Sequence, residues 1–465
     1  MANCNQSMQT TAKPRAPRVT IKRPPILRTP ASIAVTGDDA IIVSSRNTRP
    51  LWFDGRFLAA TDLQREQNYF LRQQAALGRA AGFGVVHGLW VDQGPDGNQA
   101  ASAETIVVRA GNGIAPSGEL VMLSQDLTIR ISDLPEEQNL DEQFGLAELP
   151  QQPARTRTGI YVLALRPVQF TANPIVSYPA NLQAPRVAQD GDVVEATAVS
   201  LVPYPNPVNN FDAPLQQAVL AREIFLRGNL PVLPASLLPL AMVSLDRNRL
   251  QWIDMYLVRR DSSPQGNAIG LGLADTATQQ AYLMQYNAKL HDVVASLGSA
   301  GFAASEQFQA LPPAAALPLS CINVNNLTQR FFPQQMNVRL RVVPGDEIPA
   351  LLQDGLALPP IDLTLPASSY ENISVLVFIA VQRASLAQLR SLREAQLTPE
   401  LPVLRLARPF VPMRLAPMTG ASGASSPWLS AIAGATYGFY TRLRDEPKFA
   451  DFSTASAGGP IAANS

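Results

Sequence analysis

Charge, cysteine and histidine are all scarce in this sequence. Only 16% of its 465 residues are charged, against about 25% in a typical soluble domain, and the net charge is zero. This balance argues against a general nucleic-acid-binding protein, because neutralising phosphates requires an excess of Lys and Arg on one face. So little charge favours a chain that buries large interfaces, and a somewhat apolar monomer is the alternative.

Two cysteines and two histidines leave few ligands for a transition metal. Cys4 and Cys321 cannot build a disulfide framework, and no zinc-ligand spacing is present. The sequence also lacks an Asp-rich calcium loop. We therefore expect neither a metal site nor a bound cofactor.

No apolar stretch reaches the roughly 20 residues that a membrane-spanning helix needs. The longest, ISVLVFIAV at residues 373–381, has the length of a strand. The first thirty residues lack the apolar core of a signal peptide. The sequence thus predicts synthesis in the cytoplasm and no direct membrane span.

The length predicts two or three domains, at about 100–200 residues each. Short apolar runs bounded by Gly, Pro and Ser indicate a mainly β fold of the α+β class. We expect two β-rich, sandwich-like or barrel-like units, with an extended arm and a helix packed before the first strands. The predicted boundaries are 1–50 for the basic, proline-rich arm, 51–260 for the first β-rich domain with a helix at 61–78, 261–320 for a helical segment and an Ala/Pro linker, 321–417 for the second β-rich domain, and 418–465 for a flexible tail.

The arm combines prolines with several cations, and both features oppose independent folding. The segment is predicted either as a disordered tail or as an arm that becomes ordered against a neighbouring subunit. Nucleic-acid binding is the weakest interpretation, because no aromatic residues alternate with the cations. The candidate interaction residues in the arm are Arg15, Arg18, Lys22, Arg23 and Arg28.

The stretch from Leu51 contains a helix with a clear start and end. Thr61 and Gln64 have the spacing of a capping box, and Gly78 and Gly82 are expected to stop the helix. Apolar residues and glutamines alternate along one seam at spacings of 4, 3, 4 and 3, which is typical of packing against another chain's helix. An ordinary amphipathic helix lying on a sheet is the alternative. The seam residues are Leu63, Gln67, Phe70, Gln74 and Leu77.

A glycine cluster follows this helix in GFG at residues 82–84. A phosphate-binding loop would run from strand through glycines to helix, with the helix N-terminus facing the anion. The order here is reversed, so we predict glycines that allow positive φ and close backbone passage. His87 lies between Val86 and Gly88, and we expect a packed, hydrogen-bonded histidine rather than a catalyst.

Three patterns in residues 51–131 follow one another. The first is F-D-G-x-F-L-x-x-x-D, the second is a helix with R-E-Q-x-Y, and the third is G-x-G-V-V-x-G-L-x-V. AGNGIAPSGELVML at residues 110–123 continues the series. The matching residues are Phe53, Asp54, Gly55, Phe57, Leu58, Asp62, Arg65, Glu66, Gln67, Tyr69, Gly82, Gly84, Val85, Val86, Gly88, Leu89 and Val91.

Together these patterns resemble structural proteins that are encoded with contractile injection systems and phage-tail-like particles, near the baseplate. The resemblance implies a non-enzymatic, multimeric component at or around the baseplate or spike, with a cage-like layer as one candidate position. It implies other baseplate, spike, tube or sheath proteins as partners, and a homo-oligomer, with a trimer as one candidate. Such a subunit is made in the cytoplasm and assembled into a tail-like particle, which is then cytoplasmic, extracellular or membrane-associated.

Two other functions remain as alternatives. A receptor- or glycan-binding tail protein would need an exposed aromatic platform, whereas Trp52, Trp90 and Trp252 fall beside predicted core strands. A cell-wall hydrolase would need a pair of carboxylates in a cleft. The sequence offers no such pair and no G-x-S-x-G motif, so we nominate no catalytic residue.

Overall fold

The computed structural model describes most of the chain. The described residues are 31–36, 39–44, 48–95, 102–134, 156–176, 188–204, 212–262, 276–298, 300–400 and 427–444. They belong to two compact units, residues 1–80 and 81–465.

The first unit contains a hairpin and a long helix. Strands β1 (Ala31–Thr36) and β2 (Asp39–Ser44) pair antiparallel, a pairing that the arm prediction did not include. Helix α1 spans Ala60–Ala81, so it is longer at both ends than the predicted 61–78. Gly82 follows it with a φ of 96°, which is the left-handed conformation that commonly ends a helix. Gly78 stays inside the helix.

The start of α1 differs from the predicted capping box. The amides of Asp62 and Leu63 both donate to the carbonyl of Ala59, at 3.0 and 3.3 Å. Ala59 therefore occupies the N-cap position, because its carbonyl accepts the first intrahelical bond. Thr61 lies inside the first turn, where its hydroxyl cannot act as the predicted cap.

The second unit begins with two small antiparallel sheets. They are built from β3 (Gly84–Gly88), β4 (Val91–Gln93), β5 (Thr105–Val108), β6 (Gly111–Ile114), β7 (Leu120–Leu123) and β8 (Leu127–Arg130). One sheet has the order β3-β6-β7 and the other β4-β5-β8.

A four-stranded antiparallel sheet follows, with the order β10-β9-β11-β12. Its strands are β9 (Gly159–Val176), β10 (Ala188–Pro203), β11 (Leu238–Asp246) and β12 (Arg249–Asp254). Arg247 and Asn248 connect the last two strands with φ values of 51° and 64°. Two successive positive φ angles are the signature of a tight hairpin turn.

Alternating side chains of β9 enter different cores, as expected for a strand covered on both faces. Leu163 and Leu165 pack with residues of the two small sheets. Ile160 and Val162 pack on the opposite side, against α2 (Ala213–Ala221) and the π-helical turn Arg222–Leu226 that continues it. This first β region is therefore a layered structure with a core on each side of the four-stranded sheet.

Helix α3 (Thr276–Leu297) connects this region to a second one, and matches the helix predicted there. Tyr286, Leu290 and Val293 on one face of α3 enter the core of the second region. The other helices of the second region are α4 (Ala304–Gln307), α5 (Ile348–Leu356), α6 (Arg383–Leu386) and α7 (Pro427–Ile432).

The second region is built on a seven-stranded mixed sheet. The strands of this region are, in chain order, β13 (Ala310–Leu311), β14 (Ala314–Pro318), β15 (Ile322–Asn323), β16 (Thr328–Gln329), β17 (Asn337–Pro344), β18 (Ile361–Asp362), β19 (Ser374–Val381), β20 (Ala395–Pro399) and β21 (Tyr437–Arg442). The seven-stranded sheet has the order β14-β21-β19-β17-β20-β16-β15, while β13 and β18 form a separate pair. β17 and β19 run parallel, and β19 lies within the apolar stretch 373–381 that has the length of a strand.

Two predictions for this region are wrong. Residues of the predicted Ala/Pro linker form β13 and β14, and Ala314 and Ala315 are fully buried. Small side chains fit this strand because α5 lies close above it. The predicted flexible tail contributes β21, which lies between β14 and β19 with Tyr440 fully buried.

The predicted fold class is confirmed: the chain is mainly β with several helices, of the α+β class. The predicted domain boundaries remain a prediction. Among the described residues, no helix is long and apolar enough to cross a membrane.

Candidate interaction surface

A tight turn precedes α1 and brings the first sequence pattern against the helix. The amide of Arg56 donates to the carbonyl of Phe53 at 3.1 Å, and Gly55 has a φ of 87°. A positive φ at the third position of such a turn requires glycine or asparagine. The D-G pair of the pattern therefore has a conformational role.

Charged and aromatic side chains fasten this turn to the first turns of α1. Arg56 pairs with Asp62 at 2.9 Å, and Asp62 also accepts a hydrogen bond from Arg65 at 2.7 Å. The indole Nε1 of Trp52 donates to Glu66 at 2.9 Å, and the Arg56 guanidinium lies 5.1 Å from the Trp52 ring centroid. Asp62 also lies in the first helical turn, where negative charge is favourable. Four matched positions of the patterns thus shape this corner.

The apolar residues of the same corner point into solvent. Phe57 is 94% exposed, Leu58 69% and Phe53 65%. Burying a large apolar side chain is worth about 1.5–3 kcal/mol, so a free monomer gains nothing from these three. These three residues match the sequence patterns, but they were not predicted as interaction residues. Apolar residues on both sides of a D-G turn, where residues are usually polar, could have indicated an interaction surface.

Helix α1 itself has no buried residue, although the structure describes all 22 of its positions. Leu63, Phe70 and Leu77 are 41%, 49% and 70% exposed, and Gln67 and Gln74 are exposed between them. All five predicted seam residues therefore lie on one accessible stripe. We call the exposed corner residues and this stripe the α1 surface.

The basic residues of the predicted arm lie outside the described residues. This applies to Arg15, Arg18, Lys22, Arg23 and Arg28. Their role in interactions stays a prediction.

The glycine cluster after α1 has the structural role predicted from the sequence. Gly84 has a φ of 133°, and a Cβ there would meet the carbonyl oxygen of Arg260 at 2.6 Å. A Cβ on Gly88 would lie 2.1 Å from the carbonyl oxygen of Ala110. Such close passage of two backbones excludes any side chain. The cluster is a packing device and shows no cradle for a phosphate.

Arg259 holds the end of the same segment. Its guanidinium donates to the carbonyls of Leu89 and Gly88, both at 2.8 Å, and lies 4.1 Å from the Trp90 ring centroid. The side chain is only 5% exposed. Two carbonyls, an aromatic face and the Asp261 carboxylate at 3.7 Å thus compensate the burial of this cation.

The described residues include both histidines and Cys321. His87 is exposed, so the prediction of a packed, hydrogen-bonded histidine is wrong: its strand turns this side chain away from the core. His291 is also exposed, on α3. Cys321 is buried, and burial raises the pKa of its thiol, which disfavours the reactive thiolate. Within the described residues, no group of three or more His, Cys, Asp or Glu side chains could hold a metal ion.

No protein-family model matches this sequence, and no curated protein matches it. Parts of three solved structures are similar to it. A crystal structure of TssK shares 16% identity at a TM-score of 0.22, over 45% of this chain and 41% of TssK. The TssK–TssF–TssG baseplate subcomplex of the type VI secretion system shares 13% identity at a TM-score of 0.20, over 44% of this chain and 60% of that chain.

The third structure is the baseplate complex from the type VI secretion system. It shares 11% identity at a TM-score of 0.21, over 54% of this chain and 66% of that chain. The chain thus spans less than two thirds of each of these three structures. At these TM-scores, the similarities do not indicate the function of this chain.

Proposed function

We propose that this chain is a non-enzymatic structural subunit of a contractile injection system, of the phage-tail-like kind, at or around the baseplate or spike. The observation that carries the proposal is α1: none of its 22 residues is buried, yet large apolar residues recur along one stripe. A helix of this kind gains stability mainly by packing its apolar face. In this proposal, a neighbouring subunit covers the stripe.

The sequence patterns support the type of assembly. Gly55, Asp62, Arg65 and Glu66 of the patterns form the corner that presents the α1 surface. Sequence patterns that specify an exposed surface, rather than a pocket, fit a subunit that acts by binding neighbouring subunits. Many such contacts, each modest, sum to a strong assembly through multivalency.

The finer features of the proposal concern partners and position. The partners are other baseplate, spike, tube or sheath proteins of the same particle, together with further copies of this chain. A trimer is the first homo-oligomer to test, and a cage-like layer is one candidate position. The subunit would be made in the cytoplasm and assembled into the particle there.

The deciding experiment is a pull-down of the tagged protein from its native host, followed by mass spectrometry and electron microscopy. The proposal predicts sheath, tube and spike proteins in the eluate and tail-like particles on the grid. An eluate that contains this protein alone would contradict it and favour a secreted binder. Glycan arrays would then test the receptor-binding alternative directly.

Removing residues 1–50 provides a second arm of this experiment. The buried cores of the described residues lie between Val85 and Tyr440, so the shortened chain should stay folded. We expect it to be missing from the purified particles. Particles that incorporate the shortened chain at the normal level would show that the arm is not an assembly element.

A further inference from the structure

β9 and β10 form a two-stranded ribbon that continues beyond the four-stranded sheet. Their pairing follows one register out to Val176↔Ala188. β11 pairs with β9 over Gly159–Leu165, so the described residues supply no third strand for 166–176 and 188–198. A two-stranded ribbon is marginally stable in water, and a third strand supports it.

The two edges of this outer ribbon differ. β9 carries Pro167 and Pro174, and proline cannot donate a ladder hydrogen bond. β10 contains no proline from Ala188 to Val202, so every backbone amide of this stretch is able to donate a hydrogen bond. Since β10 is the edge strand of its sheet in the described structure, its outer edge is open to an added strand.

The outer half of β10 is acidic and partly apolar. Asp190, Asp192 and Glu195 are exposed, and Val193 is 64% exposed. The side chains that donate hydrogen bonds to the three carboxylates are neutral cross-strand residues, namely Thr171, Asn173 and Gln169. Residues 167–176 and 188–203 contain no Lys or Arg. A strand that pairs with this edge should therefore bring cations with it.

The segment Arg18–Lys22 of this chain has the complementary pattern. In an extended strand, alternate residues share a face, so Arg18 and Lys22 would lie on one face and Val19 and Ile21 on the other. Residues 1–30 carry six basic residues and no acidic residue. The segment lies outside the described residues.

We propose that Arg18–Lys22 of a second copy adds to the outer edge of β10 as a third strand. Main-chain hydrogen bonds would supply affinity, as in other cases of strand addition. The cations of the added strand would face Asp190 and Asp192 and set its register, while Val193 would be covered by an apolar neighbour. This interaction goes beyond the proposed function, because it names a second contact surface and its occupant.

Charge reversal on each side tests the proposal with the full chain. One variant reverses the arm (Arg18→Glu with Lys22→Glu), and the other reverses the ribbon (Asp190→Lys with Asp192→Lys). Each variant alone should self-associate at least about tenfold more weakly than the wild type, since like charges then face each other. An equimolar mixture should recover, because each copy now offers a strand that matches the other copy.

Sedimentation velocity of the two variants, the mixture and the wild type gives the readout, with circular dichroism as the check on folding. Recovery in the mixture supports a contact between copies. Wild-type association by either variant alone, a mixture that does not recover, or a wild type that stays monomeric would overturn the proposal.

A direct binding measurement separates this inference from the proposed function. The probe is a fluorescent peptide of residues 13–28, and the receptor is the full-length arm-reversed variant. We expect saturable binding that weakens with salt and that is lost when Asp190→Asn, Asp192→Asn and Glu195→Gln are added. Absence of binding, or equal binding by the neutralised ribbon, would reject the ribbon contact, whereas the pull-down result would still decide the proposed function.

Discussion

Arg222 donates two hydrogen bonds to the carboxylate of Asp362 and so joins the two β-rich regions of residues 81–465. Nε lies 3.0 Å from Oδ1 and Nη2 lies 2.8 Å from Oδ2. The two side chains are 13% and 11% exposed. A bidentate, largely dehydrated pair fixes geometry more strictly than a surface ion pair does.

Asp362→Asn should destabilise the protein by about 2–4 kcal/mol near pH 7, because the largely buried Arg222 cation would keep only the more distant carboxylate of Glu223, 3.7 Å away, as a counter-charge. Chemical unfolding measures this change. The surface pair Arg383–Asp346 is a matched control: its atoms are also 2.8 Å apart, but both side chains are 62% exposed. Asp346→Asn should have no measurable effect, and equal effects of the two substitutions would refute the prediction.

The carboxyl group of Asp362 should also account for part of the loss of stability at acidic pH. Burial alone would raise the pKa of Asp362, but hydrogen bonds from Arg222 and Thr364 outweigh burial and lower it. A lowered folded-state pKa contributes stability above the unfolded value of about 3.9, and this contribution is lost as the pH falls through the folded value. Asp362→Asn should therefore flatten the stability profile below about pH 4, and an unchanged profile there would contradict the assignment.

Asp254 should show the opposite dependence on pH. Burial raises its pKa to about 6, although Gln285 and the amides of Leu257 and Tyr256 donate hydrogen bonds to it and the charge of Lys289 is near. The folded state then holds the proton more tightly than the unfolded state, so stability decreases as the pH rises from about 4 to about 6.

Asp254→Asn should therefore raise the free energy of unfolding at pH 8 by about 1–2 kcal/mol and remove this slope. An asparagine retains an acceptor for the two amides, and Gln285 can turn to present its oxygen. The exposed Asp354→Asn serves as the control. A variant that loses stability at pH 8 would show that the ionised carboxylate is needed.

Gly355 lies in helix α5, where alanine usually stabilises an exposed helix by about 1 kcal/mol relative to glycine. Here a Cβ would lie 2.7 Å from the Cβ of Ala314 and closer still to Oγ1 of Thr441. The steric cost of overpacking should exceed the gain in helix propensity, so we expect Gly355→Ala to destabilise the protein by about 1–3 kcal/mol. Gln353→Ala, at an exposed position of the same helix, should be close to neutral, and thermal unfolding of both variants decides the sign.

The α1 surface offers a test without risk to the fold. Replacing Leu63, Phe70 and Leu77 together by Gln should leave the unfolding free energy within about 0.5 kcal/mol, since these side chains are exposed. Association measured by light scattering should weaken by at least about tenfold. Leu71→Gln is the matched control, because Leu71 is 43% exposed but lies off the stripe. Unchanged association of the triple variant would remove the stripe from the interface.

Local chemistry made part of this structure predictable. The D-R-N turn, the helix at 276–297 and the two parallel strands β17 and β19 all have strong periodic or turn signals. The glycine cluster after α1 was predictable for the same reason, since the order of helix, glycines and strand excludes an anion site. These features depend on residues close together in sequence.

The parts that sequence analysis missed depend on distant residues. β14 resembles a linker because alanine and proline have low strand propensity, and it becomes a strand only because β21 pairs with it and α5 covers it. β21 was hidden in a Gly/Ala/Ser-rich tail, although TYGFYTR alternates like a strand. His87 is exposed because of how β3 is oriented against β6, which a lone histidine cannot reveal.

The interior position of β21, between β14 and β19, also sets an order of events during synthesis. β19 finds its neighbour on that side only when Phe439 has emerged, 58 positions after Val381. At about 5–20 residues per second, the ribosome needs about 3–12 s for that interval. Until then the edge of β19 is exposed in the cell, a condition that favours unwanted strand pairing. The second β region therefore closes late, and chaperones that bind nascent chains should be found on it during this interval.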